Sequence, residues 1–442
     1  MMKKLITFLS ILMVPPVYAS GCSTFALIRG ETILVCNNDD WFCNVAYFVV
    51  SPRGITKQTF LPSADKRLEW TSKYGSVTIN FNFVGSPSGG MNEAGLVIDE
   101  SWPGPCRYPD PDARPAIDEI QWLQYQFDNC ATVDEVIQTD LKLRIVGFFG
   151  KSHYFVCDKN GKAATIEWID GKMVVHILTG DNVPVLTNDN YGYSITQLKK
   201  YQGFGGDMTI GNSPSSLDRF CRAANMVRQF GEKEGITEID YGFSVLANIA
   251  QQNTEFSWVY DINNLTICYK TAWNKEIKEV PLNKFDFTSE GPLLMTDILT
   301  TDNGDITYNF EPYTLEKNRD FVARVVENWQ KNRFAQHITE AEIEMMIQYP
   351  ETQGIRNKSS ILNMLPGFPV LKGSYLGQQP PGLKAEPFAP TVFSVSGKNH
   401  HTLSFSDDGN ELYFSRYPEH VTWMMRQVNG IWQPPMSTPI SG

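Results

Sequence analysis

Several chemistries have no footing in this chain of 442 residues. Its eight cysteines (Cys22, Cys36, Cys43, Cys106, Cys130, Cys157, Cys221, Cys268) are scattered, with no close CxxC pair. That spacing excludes a zinc ribbon or a dithiol redox motif. The six histidines never fall in a metal-binding pattern such as HExxH, so no metal is expected, and no organic cofactor either. Beyond the first residues no apolar run is long enough to span a bilayer. Positive charge is short: 38 Lys and Arg stand against 49 Asp and Glu, a net charge of -11. A nucleic acid is therefore not the expected partner.

What is present is an exportable globular chain. Hydrophobic residues make up 42% and aromatics 12%, enough for a packed core. The length suggests more than one domain. Met1-Met2-Lys3-Lys4, the apolar stretch Leu5 to Val14 and the small residues up to Ala19 have the layout of a secretory signal, which predicts a periplasmic or secreted protein. A competing reading takes Ala19-Ser20-Gly21-Cys22 as a lipobox and Cys22 as the anchor of an envelope-binding lipoprotein. The two exclude each other chemically, because lipidation consumes the Cys22 thiol and acylation its amine.

If residues 1–21 are removed, Cys22 carries both a thiol and a free α-amine. A thiol is mostly protonated near neutral pH, whereas an α-amine titrates at about 7.7–8.0. One residue then holds a nucleophile and a base, with no ordering cost for bringing them together. Ser23 to Ile28 and Ile33 to Cys36 read as strands joined at Gly30-Glu31, which returns Asn37-Asn38-Asp39-Asp40 to the side of Cys22. Taken alone, that amide and carboxylate run is a turn former.

Strand-like runs fill 22–110, among them Val77, Ile79, Phe81 and Phe83 in alternation, the pattern of a half-buried strand. Helical spacing follows over 115–144, with a capping box at Thr132 and Glu135. Strands return over 153–188, turning at Asn160-Gly161 and Asp170-Gly171. Residues 216–253 read as helical, then come strands near 256–260 and 265–271. Helices lie over 319–329 and 339–348, the second opened by Thr339 and Glu342. Strands in runs rather than strict βαβ alternation predict an α+β class with helices layered on antiparallel sheets. The domain reading is 1–21 signal peptide, 22–350 main domain, 351–385 linker and 386–442 a β-rich segment. That last segment, Thr402 to Ser415 above all, resembles one blade of a TolB-type propeller. One blade cannot bury both its faces, so it packs on the main domain or on a partner, or belongs to a longer parent chain.

Cys22-Ser23-Thr24-Phe25, Asn38-Asp39-Asp40-Trp41, Asn92-Glu93-Ala94-Gly95-Leu96, Val185-Leu186-Thr187-Asn188 and Ser216-Leu217-Asp218-Arg219-Phe220 occur in order over about residues 22–350. Together they resemble the choloylglycine hydrolase family of N-terminal-nucleophile amidases, which includes bile salt hydrolases and penicillin V acylases. The resemblance implies a four-layer αββα sandwich, autocatalytic processing and hydrolysis of a small-molecule acyl amide. It also implies Cys22 as nucleophile, Asp40 holding its amine, and Arg219 favouring the thiolate. Asn188 and the Trp102 backbone N–H would serve the oxyanion. Asn37 stands where many members have arginine, which places a hydrogen-bonding amide among the substrate-binding candidates and leaves the particular substrate open. Many relatives are tetramers, so a homo-oligomer is a further expectation. A third reading, a cysteine–histidine hydrolase, would use His153 or His176.

Intact mass and N-terminal sequencing of the mature protein test the leader. The expected result is a free cysteine at position 22; a diacylglyceryl mass there would sink the amidase reading.

Overall fold

The computed structural model describes residues 21–353 apart from 61–65, 103, 105, 148–149, 233–234, 290 and 335–337, and then 371, 373, 376, 378, 388, 399–417, 421–428, 431–432 and 436–437. The leader through Ser20 and most of the 351–385 stretch lie outside the described residues, as do His337 and His420.

Ser23–Arg29 (β1) and Thr32–Asp40 (β2) form an antiparallel hairpin. Its turn needs a left-handed residue, which Gly30 supplies at φ +59 without steric cost. The hairpin lies inside a seven-stranded sheet, flanked by Val185–Leu186 on one side and Thr254–Asp261 on the other. Phe25, Ala26 and Leu27 are all fully buried, so β1 is covered on both faces. That is why its sequence is a continuous apolar run rather than an alternating one.

A nine-stranded sheet packs against the first and contains Tyr47–Ser51 (β3), Ser76–Asn80, Val97–Ser101 and His153–Cys157. The alternation at Val77 and Ile79 predicted a half-buried strand, but all five residues of Ser76–Asn80 are buried. The sheet has a layer on each face, so the intervening polar groups are enclosed too. Asn80 Nδ2 donates to Thr78 Oγ1 (3.0 Å) and Thr78 O (3.2 Å). The strand ends at Asn80, with Phe81 and Phe83 beyond it.

Helices complete the layers. Glu119–Asn129 (α1) and Val133–Gln138 (α2) cover the outer face of the nine-stranded sheet. The span 115–144, expected to be helical, opens instead with the short strand Ala116–Asp118, paired in parallel to Arg144–Val146. Tyr191–Leu198 (α3) precedes Ser216–Arg228 (α4) and Glu238–Ile249 (α5), and α4 and α5 cover the seven-stranded sheet. Leu315–Lys331 (α6) and Glu340–Thr352 (α7) pair over the β3 side with Phe321, Val325 and Trp329 inward. Both expected capping boxes, Thr132 with Glu135 and Thr339 with Glu342, are formed. The result is a four-layer αββα sandwich. Among the described residues no helix is long and apolar enough to cross a membrane. All eight cysteines are free, so Cys36 and Cys43, which flank the Asp40 turn, are not bonded.

The C-terminal strands Asn399–Phe405, Glu411–Tyr417, Val421–Val428, Ile431–Trp432 and Met436–Ser437 form a separate small sheet. Its core is Leu376, Leu412, Phe414, Met425 and Trp432, and Gly409 makes the Asp-Gly turn at φ +70.

The run Asn92 to Leu96 has a structural task. Asn92 Nδ2 donates to Phe127 O (2.9 Å) and Cys130 O (2.8 Å), and Oδ1 accepts from Ala94 N (3.1 Å) and Leu96 N (3.0 Å). One buried amide thereby satisfies the end of α1 and its own turn. Asn92→Ala removes the partner of three buried backbone groups and one part-buried one and is expected to destabilise the protein by about 3 kcal/mol. The urea unfolding midpoint measures this; an unchanged midpoint would refute it.

Candidate active site

The hairpin register sets the site. Ser23 pairs with Asn38 and Thr24 with Asn37, so the residue before Ser23 falls opposite Asp39. Cys22 Sγ lies 3.7 Å from Asp39 Oδ1, and Asp39 Oδ2 accepts from Trp258 Nε1 at 2.5 Å. A bulge in the neighbouring strand sets Thr254 against Asp40. Thr254 Oγ1 donates to Asp40 Oδ1, and Gln251 Nε2 donates to Asp40 Oδ2 at 2.5 Å.

Arg219 enters from the first turns of α4, whose N-cap Ser215 accepts from Asp218 N. Its guanidinium is buried and fully engaged. Nη1 donates to Gly21 O (2.9 Å), Cys22 O (3.1 Å) and the Ser23 hydroxyl, and Nη2 donates to Asn188 Oδ1 (2.7 Å). Asp40 Oδ2 is 3.7 Å from Nη1. Asn188 follows Val185–Leu186, which pairs with β1 through Thr24 and Leu186, and its Nδ2 reaches Trp102 O at 3.4 Å.

The structure thus gathers Cys22, Asp40, Trp102, Asn188 and Arg219. Asn37 is elsewhere: fully buried, it donates to Thr24 Oγ1 at 3.0 Å and is not among the described residues lining the cavity beside Cys22. That cavity is walled by Trp41, Trp102, Trp329 and Phe334 and carries Asp39, Glu100 and Glu119. Gln251, Thr254, Glu100 and Glu119 had no motif to betray them. They are single polar residues at strand and helix ends, brought in by tertiary packing.

None of the described histidines lines this cavity. His153 is buried with Nδ1 3.1 Å from Glu167 Oε1, and His176 Nε2 lies 3.9 Å from the other Glu167 oxygen. Among the described residues no group of His, Cys, Asp and Glu is arranged to hold a metal ion. A larger cavity of about 240 Å³ opens elsewhere, beside Val49, Leu293 and Tyr349. Its Lys57 is paired with Asp128 at 2.9 Å, and none of the gathered residues reaches it.

Burial dominates the electrostatics. Desolvation, then the charges of Asp39 and Asp40, push the Cys22 thiol well above its ordinary value. Desolvation pushes Asp39 up to about 7 against the help of Trp258. It pushes Asp40 up to about 6, with Arg219, Thr254 and Gln251 pulling the other way. The thiol stays raised although Arg219 and Cys22 attract each other, because desolvation and the two aspartates outweigh that attraction.

Two antiparallel-rich sheets packed face to face, covered by helices, with a cysteine before the first inner strand, define the N-terminal-nucleophile hydrolase fold. The chain belongs to the family of linear amide C–N hydrolases, the choloylglycine hydrolase family, whose model matches residues 31–296. The match begins after Cys22. A penicillin V acylase of Pectobacterium atrosepticum is 28% identical over 268 residues, covering 51% of this chain and 70% of the relative. The solved penicillin V acylase of Agrobacterium tumefaciens superposes with a TM-score of 0.59 at 26% identity, covering 66% of this chain and 98% of that one. A mutant of the conjugated bile acid hydrolase of Clostridium perfringens shares the fold, with a TM-score of 0.53 at 18% identity over 65% of this chain and 99% of that one. By family, this chain is a linear amide C–N hydrolase.

A raised carboxylate binds protons in the folded state that the unfolded chain releases. Stability from Asp39 therefore falls as pH rises from about 4 through about 7. Asp39→Asn is expected to be about 2 kcal/mol more stabilising, relative to wild type, at pH 8 than at pH 5. Urea unfolding at the two pH values measures the difference; a pH-independent effect would refute the raised value.

Proposed function

We propose that this protein is exported and hydrolyses a linear, non-peptide amide through Cys22, once the chain through Gly21 has been removed. The observation that carries this reading is the convergence of Arg219 and Gln251 on the peptide unit Gly21–Cys22, with the Asn188 carboxamide packed against Gly21 and Asp40 bonded to Gln251 behind it. Gly21 O accepts from Arg219 Nη1 at 2.9 Å and from Gln251 Nε2 at 3.0 Å. A side chain at position 21 would collide with the Asn188 carboxamide, so any residue but glycine before the cysteine would displace that amide. Such a polarised carbonyl, next to a thiol, suits self-cleavage of the leader. Cys22 lies beside a cavity walled by Trp41, Trp102, Trp329 and Phe334, a setting that favours the amidase over the lipoprotein.

In this reading the released α-amine takes the Cys22 thiol proton, with Asp40 holding the amine. Sγ attacks the substrate carbonyl carbon, and its oxygen takes up the negative charge against Asn188 Nδ2 and the Trp102 backbone N–H. Collapse expels the amine, which receives the proton from the α-ammonium. Water then cleaves the thioester and releases the acid, returning the thiol. The Pectobacterium and Agrobacterium relatives support an acyl amide of the penicillin V kind, with bile-salt and other N-acyl amides as the neighbouring classes.

Cys22→Ser is expected to lower kcat/KM on a panel of penicillin V, conjugated bile acids and N-acyl homoserine lactones by at least ~10³-fold. His176→Ala is expected to leave it within about threefold. Activity surviving in Cys22→Ser would remove the nucleophile assignment, and loss in His176→Ala alone would favour a cysteine–histidine mechanism.

A further inference from the structure

The cavity that holds Cys22 has an unusual lining. Three carboxyl groups, Asp39, Glu100 and Glu119, face it, and no lysine, arginine or histidine does so among the described residues. Glu100 lies on the strand Val97–Ser101 and Glu119 opens α1. Glu119 Oε1 accepts from Gly150 N at 2.7 Å. Glu100 Oε2 is shielded from solvent and accepts no hydrogen bond. A buried acceptor left without a partner is destabilising, and a ligand donor or cation would remove that cost.

Opposite the carboxyls stand aromatic rings set edge to face. Trp41 and Trp102 are 5.1 Å apart between centroids, Trp41 and Phe334 5.5 Å, and Trp329 and Phe334 5.6 Å. All four rings line the cavity, and a cation is attracted to an aromatic ring face it can reach, so such walls suit an alkylammonium group. Arg219, the neighbouring cation, is spent on Gly21, Cys22, Ser23 and Asn188. Desolvation and the nearby Glu119 push Glu100 up to about 8, with hydrogen bonds from Ser88 and Ser152 pulling the other way. An incoming cation reverses that balance by favouring the charged carboxylates.

We propose that the cavity beside Cys22 binds a compact cationic group of the amide substrate, a protonated or quaternary ammonium enclosed by Trp41, Trp102, Trp329 and Phe334 and countered by Asp39, Glu100 and Glu119. The inference rests on the reading of this cavity as the substrate site. An anionic group placed here meets three carboxyls, and a purely apolar group leaves Glu100 Oε2 unpaired. Within the linear amides of the proposed function, those that carry an amine or trimethylammonium head on one side of the scissile bond are therefore the favoured substrates.

The test uses two independent readouts on the processed full-length protein. Ligand-observed NMR titration compares tetramethylammonium with tert-butanol and acetate. Tetramethylammonium is expected to bind at least about tenfold more tightly than tert-butanol, with acetate weakest, and Glu100→Gln to bring the ratio below about threefold. Glu119→Gln provides a second carboxyl variant should Glu100→Gln fold poorly by circular dichroism. In parallel, p-nitroanilides of equal-length acyl chains ending in trimethylammonium, tert-butyl or carboxylate are compared by kcat/KM, and the same ends are then placed on the leaving amine. The cationic member is expected to lead in one of the two series. Equal or weaker binding of tetramethylammonium, or a preference unmoved in both glutamate variants, overturns the proposal. Cationic binding that persists while hydrolysis survives Cys22→Ser leaves the cation site standing and removes the nucleophile reading instead.

Discussion

The buried guanidinium of Arg219 is the constraint on which the site depends. A charge enclosed this far needs partners for its donors or it destabilises the fold. Here the partners are Gly21 O, Cys22 O, the Ser23 hydroxyl, Asn188 Oδ1 and Pro214 O. One side chain from α4 therefore fixes the start of β1, the loop after Val185–Leu186 and, through its proximity to Asp40, the end of β2. Three segments far apart in sequence are held in register by a group that tolerates no slack, since Arg presents its donors in a rigid fork.

That geometry explains how a residue just ahead of the first strand can be placed as accurately as one inside a helix. The first residues of a domain usually fray. Here Ser23 begins an inner strand, with Val185–Leu186 on one side and β2 on the other, so the approach to Cys22 is set by sheet hydrogen bonds. The Gly21 carbonyl is then held by two side chains, Arg219 and Gln251, before any substrate is present. In the proposed mechanism that carbonyl leaves with the leader, and the substrate carbonyl then takes its place beside Cys22, its oxygen facing Asn188 Nδ2 and the Trp102 backbone N–H.

The electrostatic character of the site is opposite on its two sides. Toward the carbonyls there are donors: Arg219, Gln251 and the Asn188 amide. Toward the cavity there are carboxyls, and burial raises them, as with Asp39 at about 7 and Glu100 at about 8. Raised carboxyls facing a cavity are a common mark of function. Layer position accounts for part of the division, with Asp39 of β2 as the carboxyl that the seven-stranded sheet adds to the cavity. The donors come from α4 and the loops on the helix-covered side of the seven-stranded sheet, whereas Glu100 and Glu119 come from the nine-stranded sheet and α1.

Much of this could be read in the sequence, for local reasons. The Gly30-Glu31 turn, the apolar run of β1, the Asn-Gly and Asp-Gly hairpins and both capping boxes are short-range features, and the motifs around Cys22, Asn188 and Arg219 lie within a few residues each. The half-buried pattern of Val77 and Ile79 misled, because alternation reports one face of a strand and cannot show that a second layer covers the other. Gln251, Thr254, Glu100 and Glu119 were silent, since a lone polar residue at an element's end has no period and no neighbour in sequence to mark it. Asn37 illustrates the converse: its place in the run suggested a substrate contact, but strand pairing turned it to Thr24. By itself, then, the sequence determined the hairpin, the layer type and the family, which depend on contacts between neighbours in the chain. Only the tertiary structure decided which polar groups meet at Cys22, because that depends on the packing of sheets and helices from opposite ends of the chain.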